Sequence, residues 1–316
     1  MSSSTADRGL LGPLLSWYAE RSRDLPWRRP DCSPWGVLVS EVMLQQTPVA
    51  RVEPVWREWL ARWPEPADLA AEAPGEAVRA WGRLGYPRRA LRLHACAVTL
   101  TAEHDGAVPA DLGALRALPG IGQYTAAAVG AFAFGLRAAV VDTNVRRVQA
   151  RVVTGTALPA PALTAAELRL AEELLPDEPA LAARWSVAVM ELGALVCTAR
   201  SPACARCPLR DRCAWVAAGS PAYAGPARRG QAWEGTDRQC RGVIVAALRA
   251  VNRRANMSGQ HHPPKAPVRT SDIRYRGPRE LPGPGRVKWV AGTWLIVWPL
   301  VSSHISRPRI RHRPRK

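Results

Sequence analysis

The stretch "ALPGIGQYTAAAVGA", residues 117–131, decides how the chain is read. Gly120 and Gly122 stand two apart in an apolar turn that runs straight into a helix of small residues. Glycines there allow a tight turn with positive φ and bring bare backbone close to something. The helix that starts near Gln123 points its unpaired N–H groups the same way, which makes an anion site. An ordinary αα-hairpin with a glycine corner accounts for the same residues. Neither reading explains why a tyrosine, Tyr124, sits where the new helix begins.

Outward from this turn, the first two hundred residues read as helices joined by Pro and Gly punctuation. Apolar residues recur at three- and four-residue spacing over 8–22, 34–46, 50–62, 75–83, 88–104, 111–117, 123–134, 143–153, 164–174 and 179–196. No convincing period-two strand precedes "RGVIVAAL" (241–248). The expected class is all-α.

The charge is unevenly placed. Of the net +18, residues 251–316 supply +13, with 15 Lys and Arg against 2 Asp and Glu. The basic character therefore belongs mainly to the end of the chain. Residues 1–250 contain no lysine; Lys265, Lys288 and Lys316 all lie beyond them. The composition over 219–240 suits a linker, and the Pro- and Arg-rich text after about residue 250 favours a disordered or degenerate basic region. The run "WVAGTWLIVWPLV" (289–301) is too short to span a bilayer and is broken by Pro299. With no basic n-region at the start, a soluble, cytoplasmic protein without a membrane partner is expected.

Of seven cysteines, four fall within seventeen residues: Cys197, Cys204, Cys207 and Cys213, spaced C-x6-C-x2-C-x5-C. Four thiols so close in a cytosolic chain point to zinc or an iron–sulfur cluster. Zinc sites usually pair two C-x2-C units across a longer loop, whereas one wide, one narrow and one medium gap suit a cubane better.

Two carboxylates stand alone. Glu41 is the only charged residue in "WGVLVSEVMLQQT" (35–47), where desolvation would raise its pKa toward the range of a general acid. The competing reading is a helix-opening acid favoured by the macrodipole. Asp142, in "AAVVDTNVRRVQARV", looks first like an N-cap, and a cap carboxylate can also face a cavity. One protonated and one ionised carboxyl are the usual equipment for cleaving a glycosidic bond.

Taken together, LPGIGQYTA, an aspartate about twenty residues on and the cysteine loop resemble the endonuclease III superfamily of DNA glycosylases over roughly residues 8–215. "SEVMLQQT" (40–47) is similar to its MutY-type adenine glycosylase branch. Endonuclease III has no glutamate at the place of Glu41, carries a lysine where Tyr124 stands, and typically has His after "VDT", where this chain has Asn144.

The resemblance implies a two-lobed helix–hairpin–helix fold. Residues 25–138 would form a six-helix lobe, 1–24 and 139–218 an iron–sulfur lobe, 219–240 a linker and 241–316 a degenerate or disordered region. It implies a [4Fe-4S] cluster on Cys197, Cys204, Cys207 and Cys213, and a monomer acting on double-stranded DNA with A:8-oxoguanine or A:G mispairs. Glu41 would protonate the purine N7 and assist the incoming water. Asp142 would stabilise the oxocarbenium-like sugar, supported by Asn144 and Tyr124. Glu191 matches a position that contacts the flipped adenine, and Gln45, Gln46 and Tyr86 match residues that wedge into the duplex. Gly120 and Gly122 would hold a phosphate, and Arg200 and Arg206 would face others. The tyrosine at position 124 then marks a monofunctional enzyme without the Schiff-base amine. A pyrimidine glycosylase/lyase and a non-catalytic Fe–S DNA-binding protein are the alternatives. "GTDRQCRGVIVAALR" (235–249) resembles the opening of the family's lesion-reading C-terminal domain, and nothing recognisable follows it.

Overall fold

The computed structural model describes residues 9–223, 225, 234–237, 239–245 and, as backbone only, 286–290 and 293–297. The chain divides into two compact units, Met1–Pro226 and Ala227–Lys316. The first unit is helical throughout its described residues.

Its helices are α1 (Leu11–Arg21), α2 (Pro34–Leu44), α3 (Val49–Arg62), α4 (Pro66–Ala70), α5 (Pro74–Ala80), α6 (Arg88–Glu103), α7 (Leu112–Ala117), α8 (Gln123–Phe134), α9 (Thr143–Val152), α10 (Ala165–Glu173), α11 (Pro179–Leu195) and α12 (Ala214–Ala217). Ten of these match the periodic segments to within a few residues. The five-residue α4 was missed because one turn is too short to show a period. It is set by Pro66 at its start and a reciprocal cap between Glu65 and Asp68.

Helix α2 begins at Pro34, where the Ser33 side chain accepts from the Gly36 N–H at 3.1 Å. Glu41 therefore sits in its second half and does not open it. Every α2 residue from Trp35 to Met43 is buried. A helix apolar all round belongs at the centre of a domain, and α2 packs against α8, whose small side chains let the two approach.

One apolar core gathers α2 to α8 and is rich in tryptophan. Trp59 meets Trp63 and Trp81 edge-on, with ring centroids 4.7 and 5.7 Å away. A second core joins Leu10 and Leu14 of α1 to Val145, Val148, Trp185, Val189 and Leu192 of α9 and α11. The chain thus forms two lobes with α8 and the 135–142 segment passing between them, where a third cluster of small residues packs.

In the second unit, residues 239–245 are helical, where the sequence offered a strand. Arg286–Val290 pairs antiparallel with Thr293–Val297, Trp289 opposite Trp294. The rest of the tail expected to be disordered lies outside the described residues. No described helix is long and apolar enough to cross a membrane.

One contact between lobe helices bears on the site. A Cβ built on Gly193 of α11 would lie 2.7 Å from the Asn144 Cβ and 2.9 Å from its carbonyl oxygen on α9. Backbone cannot swing aside as a flexible side chain can, so Gly193→Ala should destabilise by about 1–3 kcal/mol. Urea unfolding measures this, and an unchanged midpoint would show that α9 has room to move.

Candidate active site

A cavity of about 1110 Å³ opens between the lobes. Its wall includes Glu41 and Gln45–Gln46 from α2 and its exit, Gly120, Gly122 and Tyr124 from the hairpin, and Asp142 and Asn144 from the start of α9. Helices distant in sequence thus bring the two lone carboxylates to one space.

Glu41 is 5 % exposed. Burial pushes its carboxyl from an ordinary 4.5 up to about 7, against a hydrogen bond from Tyr124 and the attraction of Arg28, with Asp142 adding repulsion. The Tyr124 hydroxyl donates to Glu41 Oε2 at 3.0 Å. The same burial, together with the charge of Glu41, holds the phenol well above its usual range, so Tyr124 stays a neutral donor.

Asp142 is both an N-cap and a cavity residue, so its two readings are compatible. Its Oδ1 accepts from the backbone N–H of Asn144 and Val145 at 2.8 and 2.7 Å, and its Oδ2 from Asn144 Nδ2 at 2.8 Å. Burial raises its pKa while these bonds and Arg147 oppose the rise. Three donors on one carboxylate fix its orientation.

Glu191 is placed otherwise than expected. It is 0 % exposed and absent from the cavity wall. Arg23 binds it through Nε and Nη2, both at 2.7 Å, and Arg28 through Nη2 at 2.9 Å. Burial alone would raise its pKa, but the two guanidinium groups hold it at about 2. Arg23 and Arg28 do line the cavity, so Glu191 reaches that space only by orienting them. Neither arginine stood out in the sequence; a buried acid in α11 needing a partner was the available signal.

The hairpin glycines differ from each other. Gly120 adopts φ +80°, and a Cβ there would sit 2.7 Å from the Arg92 Cβ. Gly122 has φ −92° and caps α8, which corrects the expectation of positive φ at both. A Cβ on it would meet nothing within 4 Å, so it leaves the α8 N-terminus open to the outside. Gln45 donates to Thr125 Oγ1 at 3.3 Å. Gln46 (φ +55°) is exposed at the cavity edge, whereas Tyr86 (φ +47°), 45 % exposed, stands outside the cavity wall.

Cys197, Cys204, Cys207 and Cys213 line one small cavity beneath α9 and α12. Among the described residues no three metal-binding side chains converge tightly enough to hold a single ion. Four thiols lining one space are the donor set of an iron–sulfur cluster. Arg151 Nη1 donates to Cys197 Sγ at 3.4 Å and lies over the Trp215 ring, stiffening the loop. Cys32 and Cys96 are not among the residues lining that cavity, and both are free thiols, as is Cys240 of the second unit.

The two-lobed helical fold, the glycine hairpin beside paired carboxylates and the four-cysteine loop define a helix–hairpin–helix DNA glycosylase. The family model of the HhH-GPD superfamily base excision DNA repair proteins matches residues 39–173, and that of the iron-sulfur binding domain of endonuclease III matches 197–213. The chain is 56 % identical to an adenine DNA glycosylase of Mycolicibacterium smegmatis over 75 % of its own length and 79 % of the relative's. It resembles the structure of a thermostable thymine-DNA glycosylase (28 % identity, TM-score 0.60, covering 67 % of this chain and 97 % of that one). It also resembles an endonuclease III–DNA covalent intermediate (25 %, TM-score 0.58, 68 % and 97 %). The chain belongs to the adenine DNA glycosylase family, and its cofactor is a [4Fe-4S] cluster.

Two measurements follow from the site's geometry. The folded state keeps a proton on Glu41 up to about pH 7, while the unfolded carboxyl loses it near 4.5. Stability therefore falls as pH rises through that window, by an amount of the order of 3 kcal/mol, and levels off above it. Glu41→Gln should melt higher than wild type at pH 8, the gap closing toward pH 4.5; equal melting at both would mean the acid is not desolvated. For the loop, Cys204→Ser should lose iron, whereas Cys32→Ser, Cys96→Ser and Cys240→Ser should retain about four iron per chain.

Proposed function

We propose that this enzyme is a monofunctional glycosylase that excises adenine mispaired with 8-oxoguanine or guanine in double-stranded DNA, acting as a monomer. The observation that carries the reading is the Tyr124–Glu41 pair. A carboxyl poised near pH 7 is held by a phenol at the place where the lyase relatives carry an amine.

On this reading the extruded base enters the cavity between the lobes. Glu41 arrives protonated and delivers its proton to the purine N7, which makes the base a better leaving group. The same carboxylate then takes the proton of the attacking water. Asp142, its oxygens fixed by three N–H donors, faces the oxocarbenium-like sugar as a fixed negative charge, and Asn144 holds it there. Arg23 and Arg28, oriented by Glu191, present donors to the base. The open N–H groups around Gly120 and Gly122 bind a phosphate, and Gln45, Gln46 and Tyr86 enter the duplex beside the lesion. Cys197, Cys204, Cys207 and Cys213 hold the cluster, which when bound ties four points of the loop into one rigid surface. Arg200 and Arg206 then lie where phosphates pass.

A strand-cleavage assay on A:8-oxoguanine, A:G, A:T and oxidised-pyrimidine duplexes, with and without alkali, tests this. Excision should be confined to the two adenine mispairs and should leave an abasic strand cut only by alkali, with little borohydride trapping. Glu41→Gln should lower single-turnover excision by roughly 10²–10⁴-fold while keeping DNA binding. Tyr124→Lys should introduce trapping, because it sets an amine beside the sugar. Strand cutting by the unmodified protein at the rate of base loss would make it a lyase.

A further inference from the structure

Arg89, in the first turn of α6, is a buried cation with no carboxylate partner among the described residues. It is 7 % exposed, and burial lowers its pKa. Its guanidinium is instead surrounded by neutral oxygens. Nη1 donates to the carbonyls of Val42 (2.9 Å), Met43 (3.0 Å) and Gln45 (2.6 Å). Nη2 donates to Thr47 Oγ1 (3.0 Å) and lies 3.4 and 3.2 Å from the carbonyls of Leu84 and Gly85. The plane also lies over Trp81 and Tyr86, 5.1 and 5.7 Å from their ring centroids.

These acceptors belong to two segments far apart in sequence. Val42, Met43 and Gln45 are the last turn and cap of α2, where carbonyls lose their helical partners and a cation is favoured. Leu84 and Gly85 precede Tyr86. Each segment carries a non-glycine residue in the left-handed region, Gln46 at φ +55° and Tyr86 at φ +47°, and these are two of only four such residues described. Non-glycine residues stay in that region only when their surroundings over-determine it. A guanidinium with donors fanned in one plane can bind both segments at once; a lysine ammonium, a single point of charge, cannot span them.

We infer that Arg89 is a positioning residue that locks the Gln45–Gln46 and Tyr86 segments into one rigid wedge, set in register with the α2 helix that bears Glu41. The inference rests on the function proposed above. Arg89 touches neither the base nor the sugar. It sets the efficiency with which the base is extruded, not the chemistry that follows.

The test uses the iron-loaded full chain and a duplex bearing 2-aminopurine, an adenine analogue that fluoresces when unstacked, opposite 8-oxoguanine. Rates are normalised to the active fraction found by titration. Arg89→Lys keeps the charge and should slow the fluorescence rise by about tenfold or more, with iron content unchanged. Thr47→Val removes one acceptor at constant shape and should slow it less, which keeps the test informative if Arg89→Lys folds poorly. Glu41→Gln should extrude normally and fail only at excision. A merely structural Arg89 would lower the melting temperature and the active fraction while leaving the normalised rate unchanged, and that result would overturn the inference. Wild-type extrusion in Arg89→Lys would also overturn it while leaving the functional reading intact. Failure of the unmodified protein to excise adenine from any duplex would instead defeat the functional reading.

Discussion

A carboxyl group kept out of water is the constraint on which the rest of this structure depends. Glu41 is held at about pH 7 by burial in the middle of α2, and a carboxyl on a cavity wall stays desolvated only if the surfaces behind it are occupied. That requirement explains the apolar text of α2, the small side chains of α8 that let the two helices close together, and the tryptophan core behind them. One polar contact relieves the isolation, the hydroxyl of Tyr124 at 3.0 Å. A neutral phenol serves this better than an ammonium would, because a cation at that distance would pull the carboxyl pKa down and discharge its proton.

The second carboxylate is treated in the opposite way. Asp142 is half-buried; it caps α9 and takes three hydrogen bonds from Asn144 and Val145. These bonds favour the ionised form. Burial raises the pKa of both acids, and the supply of donors opposes that rise more at Asp142, which takes three hydrogen bonds where Glu41 takes one. The difference lies in backbone geometry: Glu41 sits mid-helix, where N–H groups are already spent, and Asp142 sits at a helix start, where they are free.

Much of this was legible in the sequence, and the exceptions have physical reasons. A lone charge in a mostly apolar stretch of thirteen residues announces its own burial, and the four-cysteine spacing announces a shared site. Helices of six residues or more showed their period, whereas α4 and α12, of five and four residues, were too short to have one. What the sequence hid was the inward use of arginine. "NVRRVQARV" shows three arginines among its apolar residues, yet Arg146, Arg147 and Arg151 are all buried. Periodicity assumes that charge faces water, and it fails where carbonyl oxygens are waiting inside. The partners of Glu191 were hidden as well, since Arg23 and Arg28 lie some 160 residues earlier in the chain.

Those interior arginines act alike. Arg147 joins the carbonyls of Gly193 and Cys197 to the side chain of Asn144, Arg151 gathers the carbonyls of Ala157, Thr198 and Ala199, and Arg89 gathers those around the α2 exit. Each meets irregular backbone whose carbonyls have no helical partner, and an unpaired buried carbonyl is costly. One guanidinium offers five N–H groups in a fixed plane, so a single side chain can satisfy several carbonyls and fix their relative positions. Irregular backbone also carries several of the candidate site residues: Gln45 and Gln46 at the α2 exit, Asp142 at the start of α9 and the four cysteines of the loop. Lysine, with one flexible point of charge, could balance the charge of such places but not set their geometry. A first unit that carries arginine and no lysine is therefore well suited to hold loops, rather than helices, in register around the cavity.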